Sequence, residues 1–443
     1  MYKTMSSKFL QIRPNNVPAD NKIQFEGIPV ISFSIGSQNA MLDPATIRIA
    51  GKLNIWSNRG GDPLLHPSAG NVPTLLASQK LGVYGLFSQL VWRNAKSKQV
   101  CEHIRHYSRF MSSYLPVMSS SQDSMSHLSE SALIEPAAGN FQNNVIRNTS
   151  YSSFCCPLPS GMTLGGEDLW LGDNGFGGLD CEIHLAPPQQ FFFSDNGSAV
   201  GLGDCFYELE DVAIFCEVRI PPMDELSRLM KQTTGAFNFN SISSYMTTLE
   251  STNSIINFQL GLKRVISAFV NFVPSSFINN LSNNGYLTYL PAKADGSLVA
   301  LNDIAFLKNG ERFPYEYVVD TNIKLDPKVK AVDSQIMKEF ASAIIPEDRH
   351  TRTSISTANT NRTFTSANGA GATDYDLIPE GGPVYGVGVL YDMLDSDGVD
   401  FSTDAMTVQM DTTLDDANPN SAYLFVKSKQ TLGYSPSGIT VEA

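Results

Sequence analysis

Apolar residues recur at every second position in several segments of the chain. In ATIRIAGKLNIW (45–56), the four apolar side chains Ile47, Ile49, Leu53 and Ile55 fall on one face of an extended chain. This alternation predicts a strand with one buried face. FYELEDVAIFCEVRI (206–220) alternates over a longer stretch and predicts a long central strand.

Further strand candidates are short apolar or alternating runs bounded by turn residues. They lie at 27–35, 82–92, 151–158, 180–187, 255–273, 304–319, 384–391 and 422–432. The run at 304–319 contains Asn309-Gly310, a dipeptide typical of a two-residue type I′ hairpin turn. The chain is therefore predicted to be mainly β.

Three segments switch to helical spacing. In KQVCEHIRHYSRFMSSYL (98–115), apolar residues recur at steps of three to four, which predicts a helix. Shorter helices are predicted at 223–232, directly after Pro221-Pro222, and at 332–344.

The order of elements repeats in the two halves of the chain. A helix is followed by a polar segment, Ser-rich at 118–131 and of low complexity at 351–373, and each half closes with a long strand. The helices lie roughly 230 residues apart and the closing strands roughly 215 apart. Two units of about 200 residues, each large enough for eight strands, predict a duplicated β-sandwich.

Composition limits the function classes. The 443 residues carry a formal net charge of −13, so a broad nucleic-acid-coating surface and sequence-specific nucleic-acid binding are not expected. Residues 1–24 are basic, with Lys3, Lys8, Arg13 and Lys22 against Asp20. This segment is predicted either to be a frayed terminus or to be an arm that faces a genome or an anionic membrane.

Neither a secretory signal nor an apolar run of bilayer length is visible, so synthesis in the cytosol is expected. The six cysteines show no CxxC pairing and are predicted to be buried, reduced thiols. They are Cys101, Cys155, Cys156, Cys181, Cys205 and Cys216.

Three groups of residues are candidate sites of chemistry. His103 and His106, with Glu102 beside them, could form a metal-binding helix face, although a solvated helix flank is favoured. Five carboxylates could include a glycosidase-type pair, but Asp180 and Glu182 are expected on the solvent face of a strand. The five are Glu167, Asp168, Asp173, Asp180 and Glu182.

A third group of carboxylates surrounds Gly398. The spacing between these carboxylates and Gly398 does not match that of an EF-hand loop. An exposed acidic loop is therefore predicted, with incidental calcium binding as the alternative. The group consists of Asp392, Asp395, Asp397, Asp400 and Asp404. The glycines at 165–178 match neither the GxGxxG pattern nor the P-loop pattern of nucleotide-binding proteins. No GxSxG motif, typical of a nucleophilic serine, is present. The sequence therefore predicts no enzyme and no catalytic, cofactor-binding or metal site.

Several stretches resemble the double jelly-roll major capsid proteins of the adenovirus and tectivirus lineage, and most of all those of polinton-like viruses, adintoviruses and virophages. The resemblance is carried by the order and spacing of five segments and extends from about residue 25 to 440. These segments are LDPATIRIAGKLNIW (42–56), LGVYGLFSQLVWRNAKSKQVCEHIRHYSRFMSSYL (81–115), SSFCCPLPSGMTLGGEDLWLGDNGFGGLDCEIHL (152–185), YELEDVAIFCEV (207–218) and AFLKNGERFPYEYVV (305–319).

The resemblance implies two tandem eight-stranded jelly-roll sandwiches with short inserted helices. The expected organisation is an N-terminal arm (1–24), a first jelly roll (25–221), a linker with a short helix (222–236) and a second jelly roll with a C-terminal tail (237–443).

The resemblance also implies a structural protein of an icosahedral virion that forms homotrimeric, pseudo-hexagonal capsomers. Its expected partners are copies of itself, penton proteins, and minor capsid or cement proteins. The alternatives are a two-domain carbohydrate-binding or glycosidase β-sandwich protein, and a viral fibre or minor capsid protein.

Overall fold

The structure is a computed structural model of the chain. The described residues are 6–18, 20–56, 75–77, 81–118, 132, 152–165, 167–194, 204–232, 234–250, 253–283, 285–286, 291–293, 301–313, 334–346, 386–391, 397–412, 419–435 and 438–442. Apart from Met118, the predicted Ser-rich segment at 118–131 lies outside them, as does the low-complexity segment at 351–373.

The first half of the chain is built from twelve described strands. They are β1 (Ser6–Ile12), β2 (Lys22–Gln24), β3 (Val30–Ile35), β4 (Met41–Trp56), β5 (Leu75–Ala77), β6 (Phe87–Asn94), β7 (Val100–Ile104), β8 (Ser152–Pro157), β9 (Leu169–Trp170), β10 (Leu179–Leu185), β11 (Phe192–Ser194) and β12 (Phe206–Ile220). Its described helices are a 3₁₀ turn (Gly82–Leu86), α1 (Tyr107–Met118), α2 (Gly161–Leu164) and α3 (Pro188–Phe191).

The second half begins with the connecting helix α4 (Met223–Lys231). Its strands are β13 (Gly235–Leu249), β14 (Asn253–Gln259), β15 (Val265–Pro274), β16 (Leu301–Lys308), β17 (Glu311–Arg312), β18 (Val387–Leu390), β19 (Ala405–Thr412), β20 (Asn420–Ser435) and β21 (Gly438–Glu442). A 3₁₀ turn (Ser275–Phe277) and α5 (Ser334–Ile344) complete it.

Each half contains two antiparallel sheets that pack into a sandwich. We call β1-β12-β4-β8, with β2 on β12 and β9 on β4, the first long sheet, and β3-β10-β6-β7 the first short sheet. In the second half, β13-β20-β15-β18 with β21 on β20 is the second long sheet, and β14-β19-β16-β17 is the second short sheet. β5 and β11 form a separate two-stranded sheet.

The two sandwiches share one strand order. In the second, the eight strands β13 to β20 are ordered first-eighth-third-sixth in the long sheet and second-seventh-fourth-fifth in the short sheet. The first sandwich repeats this order with β2, β3, β4, β6, β7, β8, β10 and β12. Eight antiparallel strands connected as two Greek keys form a jelly roll, so the predicted double jelly-roll fold is confirmed.

The alternating sequence explains how the first sandwich closes. Ile47, Ile49 and Leu53 of β4 are each buried, while Arg48 and Lys52, which point to the opposite face, are exposed. In the second sandwich the predicted hairpin turn joins β16 to β17. Asn309 and Gly310 adopt φ values of 52° and 82°, which a type I′ turn requires.

One secondary-structure prediction is wrong at its start. The helix predicted from residue 98 begins only at Tyr107, because residues 100–104 form β7 and pair with β6. Ile104 fits the apolar spacing of a helix and also that of a strand. Backbone pairing with β6 stabilises the strand. The helices predicted at 223–232 and 332–344 are confirmed as α4 and α5. Within the predicted N-terminal arm, residues 6–12 form β1, which pairs along its whole length with β12.

Candidate assembly surfaces and the junction between the sandwiches

A shared aromatic core joins the two sandwiches. Phe110 of α1 is fully buried, and its ring centroid lies 6.3 Å from that of Phe269 and 5.8 Å from that of Phe425. Phe269 and Phe425 belong to β15 and β20 and stack on each other at 5.2 Å. Helix α1 of the first sandwich therefore covers part of the outer face of the second long sheet.

Polar contacts fix the position of α1 on that face. The amide of Asn271 on β15 donates to the Ser113 hydroxyl at 2.9 Å and to the Arg109 carbonyl at 3.3 Å. The Arg109 guanidinium lies over the rings of Tyr286 and Tyr423, at 4.3 and 5.3 Å from their centroids, and donates to the Gly285 carbonyl. Because most of these groups are buried, the contacts define a single relative placement of the sandwiches.

Helix α5 covers the rest of the same face. Phe340 meets Phe269 edge to face at 5.8 Å, and the Ser267 hydroxyl donates to the Ala343 carbonyl at 2.6 Å. The buried ammonium of Lys427 donates to the carbonyl of Ile344, the last residue of α5. A cation there satisfies an unpaired carbonyl and the negative end of the helix dipole.

Glu102 is a buried carboxylate at the second contact between the sandwiches. Its Oε1 accepts from the backbone N–H groups of Gly161 at 3.0 Å and Ile242 at 2.7 Å, and its Oε2 accepts from Met162 at 3.1 Å. Burial raises the pKa of Glu102 to about 7, and the three backbone N–H groups partly oppose that rise. One side chain of β7 thus binds both the start of α2 and the β13 backbone of the second sandwich.

Gly161 allows the β13 backbone to come close to this carboxylate. A Cβ at Gly161 would lie 2.2 Å from the Asn240 carbonyl oxygen and 2.5 Å from Glu102 Oε1. Ser160 begins α2 with a reciprocal capping box to Thr163, and its hydroxyl also accepts from the Trp92 indole at 3.0 Å. The buried polar groups around the contact are therefore paired.

The position of Glu102 differs from the prediction, which favoured a solvated helix flank for Glu102, His103 and His106. The structure places Glu102 on the inner face of β7, and His103 on the opposite face, where its Nε2 is 2.9 Å from Gln89 Oε1. His106 packs against the Tyr423 ring at 4.9 Å. The three side chains do not converge, because alternation along a strand separates positions 102 and 103.

The five candidate carboxylates of the glycine-rich region have separate partners. Asp180 pairs with Lys98 at 2.7 Å, Glu182 with Arg93 at 2.9 Å, and Asp168 with Arg219. Glu167 accepts from the Asn238 backbone N–H at 3.1 Å, and Asp173 from the Ser37 hydroxyl at 2.6 Å. Asp180 and Glu182 share the outer face of β10, as predicted.

The acidic group around Gly398 is described only in part, since Asp392 and Asp395 lie outside the described residues. Asp404 pairs with Lys308 at 3.3 Å, and Asp400 accepts from the Ser402 backbone N–H at 2.8 Å. Within the described ranges, no three His, Cys, Asp or Glu side chains gather as a metal site would require. Within the same ranges, no helix is long and apolar enough to cross a bilayer.

The six cysteines are all free, and five of them are buried. Burial raises the pKa of the Cys101 thiol to about 12, so it stays protonated. Cys155 departs from the prediction because it is exposed. It lies on β8, opposite Ala50 of β4, on the outer face of the first long sheet.

That outer face carries aromatic side chains. Phe9 on β1 is 73% exposed, and Phe215 on β12 is half-buried. Trp56 and Phe206, a cross-strand pair, are both half-buried and stack at 4.8 Å. The outer face of the first long sheet is thus a partly apolar surface without a covering helix among the described residues.

Comparison with known proteins finds likeness in structure and not in sequence. No protein-family model and no curated protein matches the chain. Among solved structures, the PBCV-1 virus capsid matches with a TM-score of 0.58 at 11% identity, over 100% of this chain and 98% of the other.

Two further structures match over nearly the whole chain. The Sputnik virophage structure matches with a TM-score of 0.54 at 11% identity, over 99% of this chain and 88% of the other. The Faustovirus major capsid protein matches with a TM-score of 0.53 at 8% identity, over 98% and 91% of the two chains. The chain therefore has the fold of these double jelly-roll proteins.

Proposed function

We propose that this chain is a structural major capsid protein whose copies form homotrimeric, pseudo-hexagonal capsomers of an icosahedral virion. The observation that carries the proposal is the repeated jelly-roll strand order in two sandwiches joined by a buried junction. A chain that supplies two similar blocks in a fixed relation needs a threefold axis to make a six-block ring, and such a closed ring is a favoured form of oligomer.

The predicted division of the chain is part of this proposal. Residues 25–221 and 237–443 would form most of the two blocks of the ring, with β1 and β2 added to the first long sheet and 222–236 as the connection between the blocks. The common core around Phe110 and Phe269 supports treating the blocks as one rigid body, because separating them would expose these rings to water.

The other expected partners follow from a position in a virion shell. They are penton proteins and minor capsid or cement proteins, with synthesis in the host cytoplasm. The basic N-terminal segment remains the candidate for contact with an internal membrane or the genome. Lys8 on β1 is exposed, while Lys22 pairs with Glu208 at 3.2 Å.

The carbohydrate-active alternative finds less support, and we propose that the chain is not an enzyme. A glycosidase needs two carboxyl groups facing each other across one cleft. The five candidates in the glycine-rich region have separate partners. Asp180 pairs with Lys98 and Glu182 with Arg93, on the outer face of the first short sheet.

The mass of the purified protein tests the proposal. A trimer has a mass of about 145 kDa, three times the 48.4 kDa of the chain. Light scattering at micromolar concentration should give this mass, and electron microscopy of the same sample should show pseudo-hexagonal particles or flat arrays. A monomer or dimer that binds oligosaccharide would instead support the alternative.

A further inference from the structure

We propose that the cavity at the first turn of α1 is a binding site for one small inorganic anion of halide size, held between the two sandwiches. The site is independent of the assembly proposed above, because it lies within a single chain. The cavity has a volume of about 30 Å³, and both sandwiches line it. The polar residues that line it are His106, Ser108, Arg109, Gln190, Asn279 and Tyr423.

Arg109 supplies a buried cation whose partners are all neutral. The residue is only 5% exposed, and its guanidinium contacts the Gly285 carbonyl and the rings of Tyr286 and Tyr423. Within the described ranges, no carboxylate forms an ion pair with it. A buried charge is costly without a counter-charge, so an anion in the adjoining cavity would stabilise Arg109.

The electrostatic potential around the cavity is positive, although the whole chain carries a net charge of −13. Burial, and after it the neighbouring Arg109, Arg105 and His103, lowers the pKa of His106 to about 4. Among the described residues, the titratable groups that act on this imidazole are thus all basic. An anion is the kind of ligand that such a potential attracts.

The start of α1 adds to this potential. The first hydrogen bond of the helix runs from the Phe110 N–H to the His106 carbonyl at 2.9 Å. The N–H groups of residues 107–109 therefore have no partner within the helix, and the positive end of the helix dipole lies beside them. The first turn contains no acidic residue that would neutralise it. A helix start and a guanidinium that meet at one cavity are groups that bind anions in proteins.

The volume of the cavity sets the size of the ion. One water molecule needs roughly 10–15 Å³ measured in the same way, so a cavity of about 30 Å³ has room for two waters or for one halide ion. Ser108 and Gln190 belong to the first sandwich, and Asn279 and Tyr423 to the second. A bound ion would therefore hold the two sandwiches together at this point.

Gln190 offers a variant in which the chain supplies the anion itself. It is half-buried on α3 and lines the cavity. Gln190→Glu places a carboxylate there and hardly changes the size of the side chain. The matched control is Gln89→Glu, which makes the same change at a half-buried glutamine on the outer face of the first short sheet.

Melting temperatures in sodium chloride and in sodium gluconate, at equal ionic strength, test the site, because gluconate is too large for the cavity. Chloride should raise the melting temperature of the wild type and of Gln89→Glu by about 1–2 °C, as expected for a ligand at about ten times its dissociation constant. Gln190→Glu should melt at the same temperature in both salts. An equal response of Gln190→Glu and the wild type would overturn the inference.

Bromide locates the ion directly. Crystals of the wild type grown in sodium bromide should give an anomalous peak within hydrogen-bond distance of the Arg109 guanidinium, and crystals of Gln190→Glu should not. A cavity filled only with water gives no such peak in the wild type, and that result would overturn the inference. The wild-type crystals decide the question if Gln190→Glu does not fold. Neither measurement depends on the oligomeric mass, so a failure of this site is distinct from a failure of the proposed trimer.

Discussion

The two long sheets have the same strand order but different surroundings. The second is buried on both faces, by the short sheet on one side and by α1 and α5 on the other. The first is buried on one face only. Strand order therefore does not determine which faces of a sheet are covered. The elements packed against each sheet determine it.

The sequences of the central strands already differ in the corresponding way. VISAFVNFV in β15 and AYLFV in β20 are nearly continuous apolar runs, whereas IRIAGKLNI in β4 alternates. A continuous run is typical of a strand with two covered faces, and alternation is typical of a strand with one. The pattern thus distinguishes β15 and β20 from β4 before any contact is known.

The largest expected effect comes from removing the aromatic contact between α1 and the second long sheet. Phe110→Ala should lower the free energy of unfolding by about 3–5 kcal/mol, because it leaves a cavity among Tyr114, Phe269 and Phe425. Urea titration followed by tryptophan fluorescence measures the loss. Ile255→Ala, at a 63% exposed position, is the control and should change the stability little. A loss for Phe110→Ala below about 1 kcal/mol would show that the sandwiches do not depend on this contact.

The next effect on stability is expected from a change at the buried Glu102, and its size depends on pH. Glu102→Gln places an amide NH₂ against backbone N–H donors and should cost about 1–3 kcal/mol at pH 5. The pKa of Glu102 rises from 4.5 to about 7 on folding, so the folded state holds a proton that the unfolded state has lost. The resulting stability is present below pH 4.5 and is lost as the pH rises to about 7.

The stability difference between wild type and Glu102→Gln should therefore shrink between pH 5 and pH 8. Urea unfolding of both proteins at four pH values measures it. Glu182→Gln, which removes a half-exposed carboxylate, serves as the control. A difference that stays constant or grows with pH would contradict the assignment of the titration to Glu102.

An effect of similar size is expected where β13 approaches α2. Gly161→Ala should cost about 1–3 kcal/mol, because its Cβ would force the Asn240 carbonyl away from Glu102. Gly36→Ala is the matched control, since no atom lies within 4 Å of its Cβ position. Thermal unfolding compares the two variants. Equal melting temperatures would mean that β13 can move away without loss.

These comparisons show what the sequence could and could not predict. Alternation predicted β4 and β12, and Asn309-Gly310 predicted the hairpin, because those signals are local. β7 was missed, because pairing with β6 outweighs the helical spacing of residues 100–111. The inward position of Glu102 and the contact between Phe110 and Phe269 depend on residues more than 100 positions apart, so local patterns do not contain them.

The smallest expected effect lies in the second short sheet, away from both long sheets. Gly310→Ala should cost about 1 kcal/mol, because φ at this position is +82° and a Cβ is strained there. Asn309→Gly should be nearly neutral, since glycine adopts the φ of 52° at that position readily. Both variants should keep the oligomeric mass of the wild type. Light scattering measures this mass, and thermal unfolding measures the melting temperature. Loss of the trimer in Gly310→Ala would instead place an interface between copies on the second short sheet.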